Sequence, residues 1–106
     1  MRILFDRGTP APLRHALADH VVETAYERGW STLRNGELLA AAEAAGFDAF
    51  VTTDRNLRSQ QNLTSRCLGI VVLSSTSWPR IQRSLSKVRG ALAAVAPATL
   101  VEVDID

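Results

Sequence analysis

Two acidic residues, Asp6 and Asp54, each come directly after a short apolar run that is typical of a β-strand, at residues 3–5 and 49–53. Strands that are separated by helices pair in parallel, so their carboxyl ends meet at one edge of the sheet, where open α/β sheets bind ligands. A third acid, Glu37, begins the helical stretch between these strands. Because hard cations prefer carboxylate oxygens and need few protein ligands, the three acids predict a Mg²⁺ or Mn²⁺ site.

Length, composition and charge limit the kind of protein that carries these acids. The chain has 106 residues, 46% of them hydrophobic, so we expect one domain spanning residues 1–106. Its one cysteine, Cys67, can form no internal disulfide and has no zinc-site partners, which favours a cytoplasmic location. The apolar run at residues 3–5 is too short for a signal peptide or a membrane span, so no membrane partner is expected. A net charge of +1 leaves only local attraction to polyanions.

Hydrophobic periodicity predicts alternating strands and helices. The strands are predicted at residues 1–5, 21–22, 47–53, 68–73 and 99–105, the last at an edge of the sheet. The helices are predicted to begin at Thr9-Pro10, at Asn35 as N-cap, at Arg55 (over residues 55–62) and at Pro79, the longest. Residues 26–30 fit a helical turn or a loop equally well. This order predicts a three-layer α/β fold with a mainly parallel central sheet of about five strands flanked by helices.

Each acid alone also has a structural interpretation. An Asp after a strand and before a helix is a common N-cap, which explains Asp54 as well as a function does. Glu37 fits a first-turn acid favoured by the helix dipole. Asp6 ends a buried strand and precedes Arg7-Gly8, where a turn explains it only in part. The functional hypothesis therefore depends on the three acids together.

Three segments carry a resemblance to a known family. They are Ile3-Leu4-Phe5-Asp6, the stretch Asn35-Gly36-Glu37-Leu38-Leu39 before an alanine-rich helix, and residues 47–57, where a strand runs into a Thr-x-Asp-x-x-Leu pattern. Together they resemble the PIN-like domains, specifically the small single-domain branch of unknown function related to VapC-type toxin ribonucleases. The resemblance implies a PIN-like fold, an RNA substrate and a cognate antitoxin protein as partner. It implies a divalent-metal-dependent endoribonuclease.

The resemblance also assigns roles to residues. It implies that Asp6, Glu37 and Asp54 are catalytic and hold the Mg²⁺ or Mn²⁺ that activates water for attack on a phosphodiester. The family often has acids where this chain has Asn35 and Asn56, and an amide carbonyl ligates without charge, so weaker metal affinity is expected. Asn56 is a further candidate ligand. Supporting positions at this edge are Asn35, Thr53 and Ser74.

Two other classes of function remain open. A phosphoacceptor receiver domain also has acids after its first and third strands and a Ser or Thr after its fourth, which Asp54 and Ser74 match. Receivers usually carry paired acids after the first strand and a lysine after the fifth strand, whereas this chain has one acid, and its only lysine, Lys87, lies in a predicted helix. The other class is a catalytically weak or inactive PIN-like module that acts by binding a protein partner.

Basic and apolar stripes suggest how partners are bound. Arg55, Arg80 and Arg83 lie on predicted helices and are candidate contacts to RNA phosphates, although solvated helix faces are the commoner explanation of such stripes. The last helix carries an apolar seam wider than one sheet face needs, which predicts a homodimer or a complex with a small antitoxin. The seam residues are Ile81, Leu85, Val88, Leu92 and Val95.

Overall fold

A five-stranded sheet forms the centre of the protein in a computed structural model that describes residues 1–57 and 66–106. Its strands are β1 (Arg2–Phe5), β2 (Val21–Thr24), β3 (Ala49–Thr52), β4 (Gly69–Leu73) and β5 (Leu100–Val103). The helices are a 3-10 helix (Ala11–Leu17), α1 (Asn35–Ala44), α2 (Trp78–Gln82) and α3 (Leu85–Ala94). The predicted helix over residues 55–62 lies mostly outside the described residues. The predicted α/β class, with a sheet flanked by helices, is confirmed.

The strand order is β2-β1-β3-β4-β5, and all four pairings are parallel. The predicted edge position of the last strand is confirmed. The chain places β2 on one side of β1 and β3 on the other, so a topological switch point lies between β1 and β3, which is where such sheets bind ligands. The register pairs Phe5 with Val51. The residues that follow, Asp6 and Thr52, are therefore neighbours at the carboxyl edge.

Both faces of the sheet are covered. Side chains alternate along each strand, so Phe5 and Val51 belong to one core cluster, with residues of the 3-10 helix, α2 and α3. Leu4 and Phe50 belong to the other cluster, with residues of α1. The middle strand β4 is buried at all five positions, as its continuous apolar run predicts. Among the described residues, no helix is long and apolar enough to cross a membrane.

The predicted long helix from Pro79 is wrong in one respect, because it is two helices. Ser77 begins α2 by accepting a hydrogen bond from the Arg80 backbone N–H on its hydroxyl, at 3.4 Å. The helical path stops at Ser84, which is 2% exposed and has φ −118° and ψ 24°. The Ser84 hydroxyl accepts a hydrogen bond from the Asp106 backbone N–H, at 3.5 Å. A buried serine that binds the chain end thus separates α2 from α3.

The apolar seam of these two helices packs into the protein's own core. Its buried residues are Ile81, Val88 and Leu92, and Leu85 and Val95 pack beside them. The seam therefore offers no free apolar face to a second copy. The homodimer stays a prediction, without this support.

Polar groups at the amino end of β1 form a closed network. Arg2 donates to the Ala45 carbonyl and pairs with Glu23 at 3.4 Å, and Arg28 pairs with the same carboxylate at 2.9 Å. The guanidinium groups of Arg2 and Arg28 lie 4.6 and 5.1 Å from the centre of the Phe47 ring. Hydrogen bonds from Arg28 outweigh the effect of burial and lower the pKa of Glu23. The network ties β2 to β1 and to the start of β3.

Candidate functional site

Asp6 stands at the end of β1 and holds the loop that follows. Its Oδ1 accepts hydrogen bonds from the backbone N–H groups of Gly8 and Thr9, at 3.2 and 3.0 Å, and from the Thr9 hydroxyl at 2.7 Å. Thr9 is 5% exposed, and its hydroxyl also lies 3.0 Å from the Val51 carbonyl oxygen. The predicted helix start at Thr9-Pro10 is wrong by one to two residues, because the 3-10 helix begins at Ala11 and the Thr9 hydroxyl binds Asp6.

Thr52 connects the two strand ends. Its side chain is fully buried, and its hydroxyl donates to Asp6 Oδ2 and accepts from the Asp54 backbone N–H at 3.0 Å. The neighbouring Thr53, predicted as the supporting residue, lines the cleft between the strand ends. The parallel register puts Thr52 beside Asp6 on the same face of the sheet, which is the signal that could have identified it.

Asp54 is held by the loop behind it and by the start of α1. Its Oδ2 accepts a hydrogen bond from Asn35 Nδ2 at 2.6 Å, and its Oδ1 accepts one from the Asn56 backbone N–H at 3.0 Å. Asn35 is the first residue of α1, where Arg34 is the N-cap, so the predicted capping role of Asn35 is wrong. Its side chain is instead directed to the carboxylate. Asn56 is exposed and meets Asp54 through its backbone.

A cleft of about 400 Å³ lies beside these carboxylates and the start of α1. Asp6, Asp54, Asn35 and Thr53 all line it, so four predicted site residues come together. Two arginines that sequence reasoning missed also line it, Arg7 and Arg34, both exposed. Arg7 donates from Nη1 to the Ser31 carbonyl at 2.8 Å, which holds its guanidinium at the cleft. The cleft thus combines two carboxylates with two cations.

Glu37 is not among the residues that line this cleft. Its side chain is exposed, and Oε1 accepts a hydrogen bond from the Arg34 backbone N–H at 3.0 Å. This bond satisfies a backbone donor that the first turn of a helix otherwise leaves unpaired. In this conformation Glu37 serves α1, and its catalytic and metal-binding role stays a prediction.

Ser74 and Arg55 line a different cleft, between the ends of β4 and β5. The Ser74 hydroxyl accepts from the Ile105 backbone N–H at 2.7 Å, so it fastens the end of the chain. Arg80 donates from Nε to the Asp106 carbonyl at 2.8 Å, on α2. Arg80 and Arg83 are both exposed and lie outside the lining of the acid cleft. Their contact with RNA stays a prediction.

The donor set decides which metal ion the cleft could hold. Within residues 1–57 and 66–106, no group of three His, Cys, Asp or Glu side chains is placed to hold one. The cleft offers two carboxylates, and each oxygen of Asp54 accepts one hydrogen bond while having about two acceptor sites. Mg²⁺ is commonly bound by one or two carboxylates, several waters and the phosphates of a substrate. The residues therefore fit Mg²⁺ or Mn²⁺ bound together with an anionic substrate.

A larger open groove of about 1000 Å³ adjoins the cleft. Residues Asp6, Arg7, Gly8 and Ser31 line both, so the two spaces adjoin along the loop after β1. Other parts of the groove are lined by Pro10, Pro12, His15, Tyr26 and Glu27.

The turn that carries Tyr26 is fixed by reciprocal hydrogen bonds. Glu27 Oε1 accepts from the Thr24 backbone N–H at 2.9 Å, and Thr24 Oγ1 accepts from the Glu27 backbone N–H at 3.1 Å. Arg14, on the 3-10 helix, pairs with the Glu27 carboxylate. The hydrogen bond from Arg14 and that from Thr24 lower the pKa of Glu27 to about 2. The segment left open by the sequence pattern is thus an anchored turn.

The chain matches no family model, no curated protein and no solved structure. The geometry of the cleft, with the sequence pattern, therefore carries the functional argument.

Gly8 packs so closely against Thr53 that a side chain should not fit. A Cβ at Gly8 would lie 2.6 Å from Thr53 Oγ1, so we expect Gly8→Ala to lower the unfolding free energy by about 1–3 kcal/mol. In a Thr53→Ala background the nearest Thr53 atom would be the Cβ at 4.0 Å, and the cost of Gly8→Ala should largely disappear. Denaturant titration of the four proteins measures the coupling.

Gly90→Ala is the control for this pair, because a Cβ there meets nothing within 4 Å and the position is helical. It should raise the unfolding free energy by about 0.5–1 kcal/mol. An equal cost of Gly8→Ala with and without the Thr53 hydroxyl would show that this contact is not the reason for the glycine.

Acid should loosen the anchored turn. The folded-state pKa of Glu27, about 2, lies below its ordinary value of 4.5, so the unfolded state binds more protons in between. The stability that Glu27 contributes is present above pH 4.5 and is lost as the pH falls toward 2. We expect Glu27→Gln to flatten the dependence of melting temperature on pH in this window. Arg14→Gln should flatten the pH dependence only partly, because the hydrogen bond from Thr24 remains. If Glu27→Gln keeps the same pH dependence as the wild-type, this account is contradicted.

Proposed function

We propose that this chain is a PIN-like, divalent-metal-dependent endoribonuclease whose active site is the cleft between the ends of β1 and β3. One observation carries the proposal: Asp6 and Asp54, from different strand ends, are joined through the Thr52 hydroxyl beside a cleft that Arg7 and Arg34 also line. This cleft lies at the switch point of a parallel sheet, where ligands are expected. Pairs of carboxylates with nearby cations suit a phosphodiester that is bound through a metal ion.

Asp54 is the principal candidate ligand, and Asp6 is the second. Asp54 lines the cleft and accepts two hydrogen bonds, which orient its carboxylate and leave acceptor sites on both oxygens. Asp6 already accepts four hydrogen bonds and so holds the loop as well as facing the cleft. When bound, Mg²⁺ or Mn²⁺ would polarise a phosphoryl oxygen and lower the pKa of its bound water. Asn35 fixes the direction of the Asp54 carboxylate through its amide.

Arg7 and Arg34 are proposed as the phosphate contacts of this site. Both are exposed and line the acid cleft, whereas Arg80 and Lys87 each bind the last residues of the chain. Positive charge at the cleft offsets the repulsion between two carboxylates and an approaching phosphate. The cognate antitoxin and the toxin role rest on the family resemblance alone. The cytoplasmic setting rests on the single cysteine, Cys67.

One alternative enzyme class has a specific observation in its favour. The strand order β2-β1-β3-β4-β5 is also that of flavodoxin-like folds and receiver domains, and Asp54 follows β3 as a phosphoacceptor would. Lys87 counts against it, because its Nζ lies in α3 and binds Asp104 and Asp106 at the end of the chain. The inactive binding module fits the structural bonds of Asp6, and loss of every metal effect below would favour it.

Cleavage of labelled single-stranded RNA should require the divalent ion and Asp54. We expect cleavage with Mn²⁺ or Mg²⁺, none with EDTA, and none by Asp54→Asn, because the amide removes the charge that binds the ion. With the free ion at about one hundred times its dissociation constant, the wild-type should gain about 2.7 kcal/mol and several degrees of melting temperature, and Asp54→Asn should not.

Asp19→Asn is the matched control, because Asp19 is an exposed carboxylate before β2, away from the cleft. It should keep both the cleavage and the metal-induced shift. Asp6→Asn is a poorer probe, since it also disturbs the loop that Asp6 holds. Wild-type protein that neither cleaves RNA nor shifts its melting temperature with either ion would remove the nuclease proposal.

The salt dependence of RNA binding should show whether the phosphates contact the cleft arginines, Arg7 and Arg34, or Arg80 and Arg83. Each phosphate contact that is lost should reduce the slope of log affinity against log salt by about one unit. We expect Arg7→Gln and Arg34→Gln to reduce it, measured in EDTA to prevent cleavage, and Arg80→Gln and Arg83→Gln to leave it unchanged. If only Arg80→Gln and Arg83→Gln reduce the slope, the RNA phosphates contact these two arginines and not the cleft.

A further inference from the structure

Tyr26 is the most exposed large hydrophobic residue in the described part of the chain, with 79% of its surface accessible. Exposure of this kind is common at loose loop tips, but the turn of Tyr26 is anchored on both sides. The Ala25 backbone N–H donates to the Phe5 carbonyl at 2.8 Å, and the Trp30 backbone N–H donates to the Ala25 carbonyl at 2.8 Å. Ala25 itself is 1% exposed. The backbone of the turn is therefore fixed, and it carries an exposed aromatic ring.

This ring lies at the groove that adjoins the acid cleft. Arg7 lines both spaces, so a nucleic-acid backbone that extends from the cleft toward Tyr26 would lie next to this cation. Pro10 and Pro12 also line the groove and give it apolar surface. An extended polynucleotide has this combination of features, because a charged backbone alternates with flat apolar bases. A phosphate held by Arg7 at the cleft would leave the adjacent base at the groove, which Arg7 also lines.

We propose that Tyr26 stacks on the base of a nucleotide next to the phosphate bound in the acid cleft, so that the groove is a subsite for single-stranded RNA. The inference rests on the proposed function for the identity of the ligand. Stacking on an aromatic ring tolerates all four bases, since each has a flat π-face. It selects unpaired RNA, because bases in a duplex are already stacked on their neighbours.

The test measures binding and not cleavage. A fluorescein-labelled oligouridylate and an abasic oligomer of the same length are titrated with protein in EDTA, and anisotropy gives the affinities. We expect Tyr26→Ala to bind the oligouridylate about 5- to 150-fold more weakly than the wild-type, which is the range for the loss of one stacked base. Tyr26→Phe keeps the ring and should bind like the wild-type. The abasic oligomer should bind equally to the wild-type and to Tyr26→Ala.

Val21→Ala is the control, because Val21 is 59% exposed on the edge strand β2 and does not line the groove. It should leave both affinities unchanged, and the melting temperatures of all variants should stay close to that of the wild-type. The inference is overturned if Tyr26→Ala binds oligouridylate as tightly as the wild-type, if it weakens binding of the abasic oligomer equally, or if the wild-type binds neither oligomer. The first result would show that Tyr26 contacts no base of the bound RNA.

This result is independent of the nuclease test. Binding that depends on Tyr26, together with no cleavage in Mn²⁺ or Mg²⁺, would keep the subsite and remove the catalytic proposal. Cleavage by the wild-type with no effect of Tyr26→Ala on affinity would keep the nuclease and remove the subsite.

Discussion

The parallel pairing of β1 with β3 is the constraint on which the candidate site depends. The register sets Phe5 beside Val51, so the next residues of the two strands, Asp6 and Thr52, are neighbours on one face. The Thr52 hydroxyl can then donate to Asp6 while it accepts from the Asp54 backbone. A shift of the register by one residue would turn Thr52 to the opposite face and separate the carboxylates. Helices on both sides of the sheet bury these strands and leave the register little freedom.

The strands and the position of the acids could be predicted because their signals are local and strong. The five residues of β4 are all buried, and a continuous apolar run of this length is typical of a strand that is covered on both faces. Once parallel topology is assumed, residues directly after the strands must lie at one edge. This is why the position of Asp6 and Asp54 at one edge could be predicted from the sequence, although their different hydrogen-bond partners could not.

Side-chain direction could not be predicted, because it depends on which polar partner is nearest. A glutamate in the first turn of a helix can either ligate a metal ion or bind the helix backbone, and the sequence does not distinguish the two. In the structure the Glu37 carboxylate binds the Arg34 backbone N–H at the start of α1. Asn35 is the first residue inside α1 and not its N-cap, and its amide donates to Asp54. Arg7 and Arg34 follow no periodic pattern, since loops bring them to the cleft. Ser84, at the break between α2 and α3, accepts a hydrogen bond from Asp106, which lies 22 residues later.

Two groups of residues at the sheet differ in how far their charged and aromatic side chains are covered. At the amino end, Arg2 and Arg28 share Glu23 and lie against the ring of Phe47, so charge, hydrogen bonding and apolar contact are satisfied within the chain. At the carboxyl edge, the chain exposes Arg7 and Tyr26 on segments that are themselves well anchored. Ordering a loop costs conformational entropy. In these two segments the ordered loop does not bury its polar and aromatic side chains, which face solvent. In the function proposed above, a negatively charged ligand with flat apolar groups would contact both of them.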